Sequence, residues 1–377
     1  MQPQPLSLYI HIPWCLQKCF YCDFNSTAIT ESTELDKYIA ALGKDLRQEL
    51  SACTQQNIKT IFIGGGTPTI LPTKKLTNLL NTVYANINID SSTEISIEIN
   101  PETIDREKLL TLNQSGINRI SFGVQTFDNQ QLQYLNRAHT STKAIEVLKT
   151  AQNIGLSNIN IDIMFGLPDQ SIDQVLADIN KAADLNPTHI SHYQLTLEPE
   201  TKLATTNPQM PDEELLAEMY GQSRSLLAKL GYHNYETSAF AKPGFECKHN
   251  LNYWQFGDFI GIGAGAHGKQ TFEDKIIRYH KPDNYREYIN AVEQESARKS
   301  ELLLESEIVI EFMINAMRLT DGWNRQLFAD RTGIDFSAIE EKVWRLVKLG
   351  LIECDATIVR PTVKGKMLLD EVLREFV

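Results

Sequence analysis

Six short alternating or β-branched runs, residues 6–12, 58–63, 93–99, 118–124, 158–164 and 189–195, recur along the first half of the chain, with helical periodicity between them. Strand followed by helix, six times over, leaves few solutions. The strands run parallel and are joined by right-handed crossovers. The clearest intervening helix in this half places Leu35, Tyr38, Ile39, Leu42, Leu46 and Leu50 on one face. Periodicity allows either an open or partial barrel or a flat doubly wound sheet.

At 377 residues the chain suits one large unit and a smaller one. The expected division is an α/β unit over 1–230, an irregular connecting region near the site over 231–299, and a C-terminal helical unit over 300–377. From about residue 300 the alternation stops. Phe336, Ile339, Val343, Leu346 and Val347 mark a helix ending at Leu349-Gly350, then a ribbon over 351–360 and a helix after Pro361. Helices followed by a small ribbon predict a winged-helix-like module.

The net charge of −12 argues against binding bare nucleic acid, because neutralising phosphates needs a basic face. Residues 301–377 carry ten Lys and Arg against fourteen Asp and Glu, so the C-terminal module is expected to pack or dock rather than bind DNA. No basic, apolar leader opens the chain and no run reaches the length of a membrane span. A cytoplasmic protein is expected, with any membrane association indirect. Three of six cysteines fall within eight residues and three are scattered, which is not a disulfide framework.

The unusual residues sit after strands. Cys15, Cys19 and Cys22 follow the first and Gly64, Gly65 and Gly66 the second. Glu98 closes the third, Gln125 follows the fourth, and Asp162 lies near the end of the fifth. In barrels and open α/β sheets alike, ligands bind at the carboxyl ends of strands, so these positions predict one shared site.

Cys15-x-x-x-Cys19-x-x-Cys22 places three thiolates on one loop. A cubane cluster completes its coordination with four ligands, so three leave one iron open for a small molecule. The alternative is structural zinc, with His11 or a remote cysteine as fourth ligand; such sites usually pair Cys-x-x-Cys knuckles, and no second pair exists.

The string Tyr9-Ile-His-Ile-Pro-Trp-Cys15-Leu-Gln-Lys-Cys19-Phe-Tyr-Cys22-Asp-Phe resembles the radical S-adenosylmethionine (SAM) superfamily. Within it the chain is similar to the branch holding oxygen-independent coproporphyrinogen III dehydrogenase and the heme chaperones. Gly64-Gly-Gly-Thr-Pro68, Glu98-Ile-Asn-Pro101, Gly123-Val-Gln125, Leu135-Asn-Arg-Ala-His139 and Asn160-Ile-Asp-Ile-Met-Phe-Gly-Leu-Pro168 extend the likeness. The resemblance implies a partial (β/α)6 barrel with a smaller C-terminal domain, and a 4Fe-4S cluster on Cys15, Cys19 and Cys22. It implies SAM contacts from Tyr9, Tyr21, Gly65, Gly66, Thr67, Glu98, Gln125, Arg137 and Asp162, with Arg137 suited to a carboxylate. In that family one-electron reduction cleaves the sulfonium to a 5′-deoxyadenosyl radical.

Two departures turn the expectation away from porphyrinogen oxidation. Phe24 stands where the dehydrogenases carry another cysteine, and only eight residues precede Tyr9. His249-Asn250-Leu-Asn-Tyr253-Trp254 resembles the His-Asn-x-x-Tyr-Trp motif of heme chaperones. Imidazole is a common axial ligand of heme iron and aromatics pack on the macrocycle, so His249, Asn250, Tyr253 and Trp254 are candidate heme contacts. Taken alone, a histidine among aromatics is more often structural. Cys247 is a competing thiolate, with an inert buried cysteine as its plainer reading. Gly261-x-Gly-x-Gly265-Ala-His267 lacks the strand–helix setting of a dinucleotide motif and reads as a glycine-rich loop near the site, with no role given to His267. The expectation is a chaperone that passes heme to apo-hemoproteins of respiration. The alternative is a coproporphyrinogen III dehydrogenase or another radical SAM enzyme.

Overall fold

The computed structural model describes residues 4–53 and 57–377. All six expected strands form: β1 (Leu6–Ile12), β2 (Ile58–Gly65), β3 (Glu94–Ile99), β4 (Arg119–Gln125), β5 (Ile159–Phe165) and β6 (His189–Gln194). Each lies parallel to the next in chain order. The crossovers carry α1 (Leu35–Ala52), α2 (Thr73–Asn86), α3 (Arg106–Gln114), α4 (Ser141–Asn153) and α5 (Ile172–Asp184), and α6 (Glu213–Lys229) follows β6.

The side-chain period of two sorts these strands sharply. Leu8, Ile10, Ile61, Ile63, Ile95, Ile97, Ile120, Phe122, Ile161 and Ile190 are fully or almost fully buried in one core. Burying each such side chain contributes about 1.5–3 kcal/mol. The alternate residues, Ser7, Tyr9, Thr60, Glu94, Glu98, Arg119, Ser121, Asn160, Asp162 and His189, face the other way. A one-residue register slip would drive this polar set into the core, so the alternation itself fixes the register.

Contacts on the polar face accord with a curled sheet. Glu94 of β3 and His189 of β6 are three strand spacings apart, roughly 14 Å in a flat sheet. Instead Cys247 touches Glu94 (Sγ to Oε1, 3.6 Å) and donates its N–H to the Tyr235 hydroxyl (3.2 Å), which itself bonds His189 Nε2 (2.8 Å). The sheet curls around this point. β1 and β6 never pair, so the barrel is partial.

The segment expected to be irregular is regular. β7 (His233–Glu236) and β8 (Ala239–Ala241) extend the sheet beyond β6. After α7 (Lys248–Trp254), β9 (Asp258–Ile262) adds parallel to β1, and β10 (His267–Thr271), β11 (Ile276–His280) and β12 (Lys299–Leu302) continue antiparallel. α8 (Tyr285–Glu293) precedes β12. The sheet has twelve strands among the described residues. Their sequences hid them because the pairing is polar: Lys269 is buried on Asp258 Oδ1 (2.9 Å) and Thr271 Oγ1 (3.0 Å). A second buried set ties this extension to α1. Lys281 Nζ meets Asp45 Oδ1 (2.6 Å) and Glu49 Oε1 (2.7 Å), Arg298 reaches Glu49, and Tyr288 donates to Asp45. Removing one partner from such a set leaves an uncompensated buried charge.

The C-terminal part has its own core around Phe312, Trp323, Phe328 and Val343. α9 (Glu305–Ala316), α10 (Arg325–Thr332) and α11 (Ser337–Lys348) surround a three-stranded ribbon of Trp323–Asn324, Ile358–Pro361 and Ile352–Cys354. Gly350, at φ +68°, ends α11 as expected, since only glycine adopts that conformation freely. Among the described residues no helix is long and apolar enough to cross a membrane.

Candidate functional site

The cysteine loop leaves β1 and is pinned on three sides by backbone. Thr27 N–H bonds Pro13 O, Ile29 N–H bonds Cys15 O, and Phe20 N–H bonds Leu135 O beyond β4. Cys15, Cys19 and Cys22 are free thiols, all partly exposed. Burial raises the Cys15 and Cys22 thiols, opposed at Cys15 by Thr67 and at Cys22 by the Phe24 N–H. Arg137 Nη1 approaches Cys19 Sγ at 3.3 Å while its Nη2 donates to Gly123 O. His11 is not available as a fourth ligand: its Nδ1 bonds the Tyr9 hydroxyl (3.0 Å) and its Nε2 faces Asn25 O (2.8 Å). Among the described residues no three His, Cys, Asp or Glu side chains gather around a point for one ion. A cubane spreads its ligands instead, one thiolate to each of three irons.

The donor set fits a cluster with SAM beside it. Gly66 forms a cradle: a Cβ there would lie 2.6 Å from Trp14 O and 3.0 Å from Cys15 Sγ. Gly65 has φ +108°, and its missing Cβ would strike the His11 ring at 2.6 Å. Its N–H donates to Glu98 Oε2 (3.1 Å), and the neighbouring Thr67 N–H to Trp14 O (2.7 Å). Arg137 Nε is buried with no hydrogen-bond partner among the described residues, a spare cationic donor beside the cysteines. Gly66→Ala is expected to cost about 1–3 kcal/mol through overpacking and to lower iron retained per chain; a thermal melt and iron assay check this.

Glu98 borders the cavity, and burial with the nearby Asp162 carboxylate raises it to about 8. Asp162 is tied down by Ser121 Oγ (2.8 Å) and Asn160 Nδ2 (2.7 Å). Gln125 ends β4 at φ +73° and accepts from the Tyr193 hydroxyl (2.6 Å). Tyr21 is pushed up by burial, and Tyr9 stacks near Phe62. Thus Tyr9, Gly65 and Glu98 line the cavity directly, while Tyr21, Gln125, Arg137 and Asp162 cluster around the cysteine loop and the ends of β4 and β5.

The floor of that cavity is α7, the helix bearing the His-Asn-x-x-Tyr-Trp string. Glu94 at the start of β3 accepts the Lys248 and His249 N–H groups (both 3.1 Å), placing a carboxylate against the helix N-terminus. His249 is buried, with Nδ1 on Thr60 Oγ1 (2.8 Å) and Nε2 on the Tyr253 hydroxyl (2.9 Å). Burial lowers it to about 3, so it stays neutral. Asn252 donates to Ser7 Oγ (2.9 Å). In this structure His249 is a plug of the barrel lumen, and Glu94, which positions it, was not singled out in the sequence. His249→Ala removes the Tyr253 hydroxyl's partner and one of the two on Thr60, which keeps Ser7 Oγ (2.7 Å), and opens a void, an expected cost of about 2–4 kcal/mol by denaturation. Cys247 is buried, its thiol pushed up to about 12 by burial, and it is not among the residues lining the cavity.

One cavity of about 670 Å³ lies between α7 and three of the candidate SAM residues. Tyr9, Gly65 and Glu98 line it together with His249, Asn250, Tyr253 and Trp254. Phe24, Phe62 and Phe259 add apolar wall, and Arg278, Lys269 and His267 polar wall; Phe259, Lys269 and Arg278 went unmarked in the sequence because they come from the concealed strands.

A match to the radical SAM superfamily covers residues 9–182, and a match to the HemN C-terminal domain covers 303–368. The chain is 42% identical to the heme chaperone HemW of Escherichia coli, over 99% of this chain and 98% of that one. It is 35% identical to the heme chaperone HemW of Bacillus subtilis, over 98% of each. The solved coproporphyrinogen III oxidase HemN of Escherichia coli superposes with a TM-score of 0.83 at 23% identity, covering 99% of this chain and 90% of that one, which is a likeness of fold. By these motifs, this barrel and full-length identity, the chain belongs to the radical SAM superfamily and, within it, to the family of the heme chaperone HemW.

Proposed function

We propose that this chain binds heme in the cavity beside its cluster and delivers it to apo-hemoproteins, those of respiration among them, from the cytoplasm. Its family carries a 4Fe-4S cluster and SAM. When bound, these supply an electron donor and an open iron that holds SAM. The protein's part is to orient and enclose them. In this reading Cys15, Cys19 and Cys22 hold the cluster. SAM is held by Tyr9, Tyr21, Gly65, Gly66, Thr67, Glu98, Gln125, Arg137 and Asp162. Heme lies over α7, against Asn250, Tyr253 and Trp254, with His249 beneath. The barrel over 1–230, the connecting strands over 231–299 and the C-terminal unit over 300–377 act as one carrier.

The observation that carries the proposal is the cavity that the heme-chaperone motif shares with Tyr9, Gly65 and Glu98. Aromatic walls of Tyr9, Phe24, Phe62, Tyr253, Trp254 and Phe259 suit a flat macrocycle, and the cationic Lys269 and Arg278 suit carboxylates at its edge. Phe24, 60% exposed at the cavity edge, offers an apolar face where the related dehydrogenases have a thiol. The test is anaerobic incubation of the reconstituted protein with coproporphyrinogen III, SAM and reductant, in parallel with a hemin titration. Unchanged porphyrinogen and saturable hemin uptake are expected. Formation of protoporphyrinogen IX overturns the chaperone reading in favour of the dehydrogenase.

A further inference from the structure

Resting on the heme reading above, we propose that His267 supplies the axial nitrogen to the iron of bound heme, and that His249 positions the floor on which the macrocycle rests. An axial ligand needs a nitrogen lone pair facing the cavity. Three histidines line it: His11, His249 and His267. Both ring nitrogens of His11 are engaged, by Tyr9 and by Asn25 O. Both of His249 are engaged as well, by Thr60 and Tyr253, within a buried lattice that also includes Ser7 and Asn252. Ligation through His249 Nε2 would break the bond to Tyr253, leaving that hydroxyl to be paired afresh inside the lumen.

His267 differs on each count. Its side chain is exposed, and neither ring nitrogen has a hydrogen-bond partner among the described residues. It opens β10 directly after the glycine-rich turn, and its ring lies 5.9 Å from that of His280 across the β10–β11 pair. The turn is pinned by its backbone: Gly263 N–H donates to the Tyr288 hydroxyl (3.2 Å), Ala264 N–H to the Tyr38 hydroxyl (2.9 Å) and Gly265 N–H to Pro282 O (2.9 Å). A histidine on a strand end at the cavity wall, with both ring nitrogens free, can ligate iron without breaking an existing hydrogen bond. Phe259, on the strand paired with β10, supplies apolar wall beside it.

The experiment is hemin titration of the cluster-loaded full chain, read by absorption and by electron paramagnetic resonance of ferric heme. His267→Ala is expected to weaken hemin affinity at least about tenfold, or ~1.4 kcal/mol, and to lose the imidazole-ligated signature. Added free imidazole is expected to restore that signature. His249→Gln, whose amide can keep partners at Thr60 and Tyr253, is expected to retain it. Wild-type affinity and spectrum in His267→Ala overturn the inference, as does loss of the signature in His249→Gln alone. Absence of saturable hemin uptake by the wild type removes the heme reading itself.

Discussion

Replacing Cys15, Cys19 and Cys22 together by serine is expected to give a folded, colourless protein with negligible iron after anaerobic reconstitution and no measurable SAM binding. Thiol to hydroxyl is close to isosteric, and the loop is held by backbone bonds that the change leaves alone: Thr27 to Pro13, Ile29 to Cys15, Phe20 to Leu135. The barrel core under β1 contains none of the three side chains. Secondary structure and the melting temperature of the empty protein should therefore stay near wild type. What disappears is the soft thiolate set that an iron–sulfur cluster requires. A single replacement of Cys19 is expected to lose most of the iron as well, because no other cysteine is near: Cys53, Cys247 and Cys354 engage Gln270, Glu94 and Arg325 elsewhere in the fold. Iron and sulfide assays with visible absorption check this. Retained stoichiometric iron in the triple variant would be incompatible with the ligand assignment.

Glu98→Gln is the second large effect, and it runs in opposite directions for stability and binding. The carboxyl accepts one bond, from Gly65 N–H, while burial and Asp162 lift it to about 8. Its folded value is thus raised above the ordinary 4.5. The stability belongs to the protonated form: it is full below pH 4.5, declines as pH rises toward 8, and is gone above that. Glutamine stays neutral and escapes this loss. The empty variant should exceed wild type by on the order of 3 kcal/mol at pH 8.5, allowing for solvent in the cavity, with the gap closing toward pH 4.5. SAM affinity should fall at least about tenfold, because a carboxylate acceptor at the strand end is lost. Denaturation curves at the two pH values, with SAM titration at the higher, read both effects. A stability gap that does not change with pH would contradict this role for Glu98.

The barrel was legible because its strands alternate strictly. Ile95, Ile97 and Ile99 against Glu94, Ser96 and Glu98 mark one apolar and one polar face in the sequence alone. Six parallel strands and the residues at their carboxyl ends followed from that. The curl did not follow, since apolar-out and polar-in holds for a flat sheet with one wet face too; it took the bridge from Glu94 through Cys247 and Tyr235 to His189. The strands β9 to β12 were hidden by Gly261, Gly268 and the buried Lys269–Asp258 pair, which break the apolar pattern while satisfying each other. Nothing local marks Asp45 and Glu49 of α1 as buried, because their partners Lys281 and Arg298 lie more than two hundred residues on. At the site, the cysteine loop, Gly65, Gly66 and Glu98 were visible as motifs. The engagement of both His249 nitrogens was not, because Thr60 carries no mark of its role.

The central claim is that heme binds in the cavity above α7, beside the loop proposed to hold the cluster. Its most direct test is equimolar hemin titration of the anaerobically reconstituted full chain, with and without SAM, followed by absorption of heme and cluster together. The account predicts saturable uptake of one heme per chain, with the aromatic fluorescence of Tyr253 and Trp254 quenched and the cluster retained. A brown, SAM-competent protein that takes up no heme above the level of a nonspecific carrier would contradict it.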